Sequence, residues 1–265
     1  MNDTTSQGRA AFYETIVPLQ SKKHAGFSLR SVDNLACAAG HHAIPLTVEE
    51  FVKAQRHFPI VFGKGESDGP MALMGLRPGA NAYIDPDGQP DGVFYVPAFI
   101  RRYPFVGIKQ SPEATELSLC FDQSSGMIGE FDDGTPLFGP DGEPTDALRQ
   151  AIEFCEAYEQ ATVSTAAFMQ ALRDKDLLVD GRVEVSGADS SAEPAVFEGF
   201  KVVEQARVRA LDSGTLASWN EQGFLAPLFA HLASLEMLGV LLERQSNRDS
   251  MGGNRLGRRE GELTH

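Results

Sequence analysis

Residues 95–105 read YVPAFIRRYPF, which sets two adjacent arginines among four aromatic rings and two prolines. A guanidinium grips a carboxylate or phosphate bidentately and also stacks on an aromatic face. These residue types at this spacing suit recognition of an acidic group. As an extended strand, the stretch puts Tyr95, Phe99, Arg101, Tyr103 and Phe105 on one face, with Ile100, Arg102 and Pro104 on the other. Pro97 and Pro104 favour an edge or a bulge over a central ladder position. Tyr95, Phe99, Arg101, Arg102 and Tyr103 are therefore the candidate residues for recognising a partner or an anion. The competing reading is architectural: an edge strand whose arginines meet water or this chain's own acids.

The other reactive side chains form no catalytic pattern. The histidines, His24, His41, His42, His57, His231 and His265, show no HxxxH, HExxH or HxD spacing. His41 and His42 are adjacent, and on a strand they would face opposite sides. Cys37, Cys120 and Cys155 are far apart with no CxxC, which predicts buried, reduced thiols rather than a disulfide framework or a zinc knuckle. Cys37 lies near His41 and His42 in sequence, but nothing there lowers its pKa. No GxSxG occurs. Asp85, Asp87 and Asp91 alternate with Gly88 and Gly92, yet a calcium loop counted from Asp85 has Pro90 and Val96 where Gly and Glu are needed. A hairpin turn is the expected structure there. FGKGESDGP, 62–70, follows an apolar run but leads into Pro70 and MALMGL rather than a helix, so it reads as a plain loop and not a pyrophosphate cradle. No catalytic residue, metal or cofactor is assigned.

The elements that must hold this chemistry fall into two halves. In the first, short apolar runs alternate with turn signals. FPIVF (58–62), MALMGL (71–76), NAYID (81–85), GVFYVPAFI (92–100) and ELSLCFD (116–122) read as strands between RPGAN, DPDGQPDG, FDDG and GPDGEP. TVEEFVKAQRHF, 47–58, is a short helix with a Thr47–Glu50 capping box, stopped at Pro59. After about residue 140 the period changes to three-to-four. One helix is predicted from Pro144-Thr145 to about 161, and a second over 164–178 capped by Ser164 or Thr165. Two strands flank a polar loop at 186–194, the best internal hinge. ARVRALDSGTLASWNEQG is helical with Gly223 as C-cap, and a buried helix over 225–245 closes the fold. The expectation is an α+β protein: a flexible lead-in at 1–11, a single domain over 12–245 with a mainly antiparallel β-rich part (12–140) and a helical part (141–245), and a flexible Arg/Gly-rich tail at 246–265.

Charge narrows the partners. Lys+Arg 23 against Asp+Glu 37 gives a formal charge of −14, which repels phosphate backbones and anionic lipid, so nucleic acid is not an expected partner. FLAPLFAHLASLEMLGVLL, 224–242, has nearly the length of a membrane span. His231 and Glu236 fall in its middle, where a charged side chain costs about 2.5–3.5 kcal/mol. It is therefore expected to bury Leu228, Leu232 and Leu235 in the protein's own core. MNDTTSQGRAAFYE has no basic-then-apolar run, so no secretory signal and a cytoplasmic location are expected.

Five segments together resemble the SapC family. They are HHAIPLTVEEF (41–51), HFPIVFG (57–63), YVPAFIRRYPF (95–105), TPLFGPDGEPT (135–145) and GFLAPLFAHLASLEML (223–238), in order over about residues 12–243. Relatives tend to show Val-Asp where this chain has Val203-Glu204, a mild departure. The resemblance implies a bacterial protein loosely tied to surface layers. It also implies gene neighbourhoods with TonB-dependent receptors and flavoprotein halogenase-like enzymes, and so a protein partner from such a system. The family name is shared with a peptide-transporter permease, which one doubtful span cannot form. The resemblance brings no catalytic residues. A non-catalytic accessory role is the expectation, and a metal- or flavin-assisted enzyme of modified-peptide or aromatic metabolism is the alternative.

Overall fold

The computed structural model describes residues 12–32, 34–65, 69–109, 117–185 and 195–248. The predicted loop at 186–194, the lead-in and most of the tail lie outside these residues. The first half runs β1 (Ile16–Pro18), α1 (Ser21–His24), β2 (Ser28–Leu29), α2 (Ala36–Ala39) and β3 (Ala43–Pro45). A 3₁₀ turn, Val48–Glu50, passes directly into α3 (Phe51–Ala54). Next come β4 (Ile60–Phe62), β5 (Pro70–Leu73), α4 (Ala98–Arg101), β6 (Phe105–Lys109), β7 (Leu117–Asp122), β8 (Ile128–Gly129) and β9 (Thr135–Pro136). The second half holds α5 (Asp146–Asp174), the hairpin β10 (Leu178–Val185) and β11 (Ala195–Val203), then α6 (Gln205–Arg209), α7 (Ser213–Glu221) and α8 (Leu225–Ser234). A last helix, α9, spans Met237–Arg248. The fold is α+β, and its described strand pairs are antiparallel.

The strands form three sheets, with orders β1-β7-β6, β10-β11-β4-β5-β3 and β8-β2-β9. The five-stranded sheet draws β10 and β11 from the second half and β4, β5 and β3 from the first, so the two halves share one sheet. Their junction is narrow, with Lys201 opposite Phe62 as its register pair. Helix α8 reinforces it from one face. Val203 N–H donates to His231 Nε2 at 3.0 Å, which leaves the proton on Nδ1 to donate to Ile60 O at 2.9 Å. Ile60 N–H donates to Ser234 Oγ at 2.9 Å. A fully buried imidazole thus joins β11 to β4, and burial pushes its pKa down to about 4.

The capping box and the strands at 60–62, 70–73 and 117–122 form as the sequence predicts. So does the Asp85 turn: its Oδ1 accepts from Asp87 N and Gln89 N, and Gly88 takes φ 83°. A Cβ at Gly88 would lie 2.6 Å from Ala36 N, so this turn packs directly on α2.

Four expectations need correction. Residues 92–100 are not a strand: the chain is irregular up to Pro97 and then makes α4. NAYID is not a strand either. Asn81 Oδ1 accepts from Tyr83 N and Ile84 N while its Nδ2 donates to Ala38 O and His41 O, and these bonds compete with a ladder. The two helices predicted over 144–178 are one 29-residue helix capped by Thr145, whose Oγ1 accepts from Leu148 N. Between 146 and 174 there is no Gly or Pro to break it. Thr165, taken as a cap, instead donates back to Ala161 O at 2.7 Å and accepts from Val48 N at 3.0 Å, which docks the 3₁₀ turn on α5. The closing helix is two helices, α8 and α9, bent by 42°. Leu228 is fully buried, but Leu232 and Leu235 are only half-buried.

Candidate functional site

Glu50 positions the arginine stretch. Its buried carboxylate accepts from Thr47 N and Thr47 Oγ1 at 2.8 and 3.0 Å, returning to the cap of its own turn. The other oxygen accepts from Ala98 N at 2.6 Å, in the first turn of α4, and from the Tyr95 hydroxyl at 3.1 Å. One acid therefore holds two helix starts. Pro97, at φ −53° and ψ 144°, sets the entry into α4.

Helical geometry, not strand alternation, separates the two arginines. Arg101 ends α4 facing out: its Nε donates to Val96 O at 3.0 Å and its Nη2 to Tyr95 Oη at 3.1 Å. Its guanidinium lies 5.0 Å from the Phe154 ring centre and 5.7 Å from that of Tyr95. Both hydrogen-bond acceptors are neutral, and no carboxylate among the described residues pairs with it. Arg102 turns inward and is 5% exposed. It sits 4.2, 4.5 and 5.8 Å from the rings of Tyr158, Phe99 and Tyr13, with Glu159 Oε1 at 3.6 Å from Nη1. Its Nε has no hydrogen-bond partner among the described residues. Of the five candidates, Arg101 and Tyr103 reach open space, Tyr95 braces Arg101, and Phe99 and Arg102 form the core behind them.

Tyr103 stands on Asp122. The phenol donates to Asp122 Oδ2 at 3.3 Å, and burial together with that charge pushes its pKa far above the usual phenol range. Burial of Asp122 would raise its own pKa. Hydrogen bonds from Ser124 Oγ (2.6 Å), Glu14 N, Thr15 N and Ser124 N (3.0 Å each) outweigh that and hold the carboxyl below its ordinary value. Asp122 thereby ties the lead into β1, the end of β7 and Tyr103 together.

These residues border a cleft of about 780 Å³, lined by Phe12, Leu35, Cys37, His41, Arg101 and Tyr103 among others. A smaller pocket of about 250 Å³ lies on the other side of the Arg101–Tyr103 turn, and a third depression of about 400 Å³ reaches to Val93 and Phe94; Val32 borders all three. The reactive groups in the cleft are quiet. Burial pushes the Cys37 thiol up to about 11, so it is protonated at neutral pH. Burial, then the neighbouring His42, lowers the pKa of His41, which leans on Phe12 with ring centres 4.7 Å apart. His42 contacts Phe197 instead. Among the described residues no three His, Cys, Asp or Glu side chains converge to hold a metal. The arrangement can bind: it offers one outward cation, a mixed polar and apolar wall that includes Phe12, and an acid-braced phenol.

Sequence reasoning missed Asp122, Glu159, Tyr13 and the second role of Glu50. The capping box marks Glu50 as a helix-start acid, but nothing local announces its bond to Ala98, 48 residues on.

Among the described residues no single helix is long and apolar enough to cross a membrane, and α8 and α9 pass that test only as a bent pair. No curated protein and no solved structure matches the chain. The family model described as SapC matches residues 19–241, most of the length, from α1 into the start of α9, and so includes Glu50, the 95–105 stretch, Asp122 and Glu159. On that match the chain belongs to the SapC family.

Proposed function

We propose that this chain is a non-catalytic binding protein that captures a protein partner by an acidic group through Arg101, with Tyr103 beside it. Tyr95, Phe99 and Arg102 build the surface from behind. One observation carries this reading: an outward guanidinium bordering a cleft that Phe12 and Tyr103 also line, held among the described residues by neutral acceptors alone, in a chain of formal charge −14. Such a cation is preorganised for an incoming carboxylate. The partner belongs to a bacterial surface-layer or TonB-linked uptake system, with a flavoprotein halogenase-like enzyme the leading candidate. The protein acts in the cytoplasm, consistent with three free cysteines, two buried and one half-buried. The test is a pull-down from the native bacterium, with and without the receptor and halogenase-like neighbours, using wild type and Arg101→Gln as baits. Specific recovery of one neighbour by wild type and its loss with Arg101→Gln supports the reading. Equal recovery by both baits contradicts it.

The enzyme alternative draws on the cleft's volume, which is in the range of small-molecule sites. Stoichiometric metal or flavin in the purified protein would favour it.

A further inference from the structure

The pocket of about 250 Å³ behind the Arg101–Tyr103 turn has an unusual wall. Arg30, Arg101 and Arg102 line it, and none of its lining residues is Asp or Glu. The chain as a whole has 37 acids against 23 Lys and Arg, so this local balance runs against the global one. The rest of the wall is largely apolar, including Leu29, Val32, Phe105, Met127 and Phe154.

The three cations are incompletely answered. The Arg101 guanidinium rests over Phe154, itself a wall residue, and among the described residues has neutral acceptors only. Arg102 lies close enough for its charge to act on the wall thiol of Cys155; its Nε has no hydrogen-bond partner among the described residues, and its contact to Glu159 at 3.6 Å is long for a charged hydrogen bond. Arg30 is bound through Nε and Nη2 to one oxygen of Asp133, but both side chains are exposed, and such surface pairs exchange readily.

We infer that this pocket is a carboxylate site, taking a single carboxylate on a compact apolar or aromatic body, with Arg101 and Arg30 as its accessible donors and Arg102 as fixed positive charge behind them. A monoanion suits it better than a phosphate, because the field of a strongly acidic chain penalises each added negative charge. A side-chain or terminal carboxylate of a protein and a free small acid share this chemistry. The inference deepens the reading of Arg101 as a recognition residue and rests on it.

The test uses the full chain and benzoate as probe, with benzamide, inorganic phosphate and a short peptide ending in Phe as comparisons, followed by calorimetry and ligand-observed NMR. Arg30 and Arg101 are both exposed, so Arg30→Gln and Arg101→Gln are expected to fold, and an unchanged melting temperature verifies this. The expected result is benzoate binding that each substitution weakens at least tenfold, with no binding of benzamide. The free acid and the peptide, set against the same peptide amidated at its C-terminus, distinguish the two sources. Benzamide binding as well as benzoate, phosphate binding more tightly than benzoate, or an unchanged benzoate Kd in Arg30→Gln would each overturn the assignment. If Arg101→Gln loses its protein partner while benzoate binding is unaltered, the recognition reading survives and the pocket does not. If benzoate binding follows the expected pattern while partner capture is unaltered, the pocket stands alone.

Discussion

Two neighbouring arginines of identical chemistry have opposite fates because α4 ends between them. Arg102 is surrounded by Tyr13, Phe99 and Tyr158 and answered by Glu159. Arg102→Gln removes the ring contacts and leaves the partly buried Glu159 without its cation, so it is expected to lose about 1–3 kcal/mol in urea unfolding. Arg102→Met with Glu159→Gln should recover much of that loss, because neutral replacement of both groups leaves no uncompensated charge to desolvate. Equal losses in the single and double variants would show that the ring contacts, not the charge pair, dominate. The Arg-Arg pair among rings was legible in the sequence as a place of interest. The division of labour was not, because Glu159 lies 57 residues on and local spacing carries no trace of it.

At the scale of elements, α4 is four residues long and too short to stand by propensity alone. Glu50 compensates by accepting from Ala98 N and from the Tyr95 hydroxyl. Glu50→Ala strands four donors and should cost about 3 kcal/mol or more. Amide hydrogen exchange offers a sharper readout: the Ala98 N–H should exchange far faster in the variant, and unaltered protection would show that α4 holds without Glu50. The sequence made the helical character of 146–174, the capping box and the two strands on either side of 186–194 legible, since each follows from periodicity or from a cap within three residues; that 146–174 is one unbroken helix was not legible, because Ser164 and Thr165 look like a cap. It made α4 illegible, since aromatic, proline-flanked residues at 95–105 have strand composition and become helical only through an acid from another element. Thr165 misled for a related reason. The same side chain caps a helix start or bonds back within a helix, and only its contact with Val48 decides.

At the scale of the molecule, the two halves share a sheet, because β10 and β11 of the second half extend the strands of the first. The His231 clamp makes that union sensitive to acid. Its pKa is about 4 when folded and near 6.5 when unfolded, so between those values the unfolded chain binds more protons and stability rises with pH. The His231 contribution, at most about 3 kcal/mol, should be complete above pH 6.5 and disappear as pH falls towards 4. Urea midpoints across that range should show a slope that His231→Gln removes, and a slope unchanged in the variant would place the acid sensitivity elsewhere. Arg101, exposed on this frame, is expected to serve capture and not folding. The direct measurement is the Kd of wild type and Arg101→Gln for the captured partner, taken beside both melting temperatures. The expected result is an affinity loss of about 2 kcal/mol or more, some thirtyfold, at an unchanged melting temperature. An unchanged Kd per folded molecule together with a lowered melting temperature would contradict it.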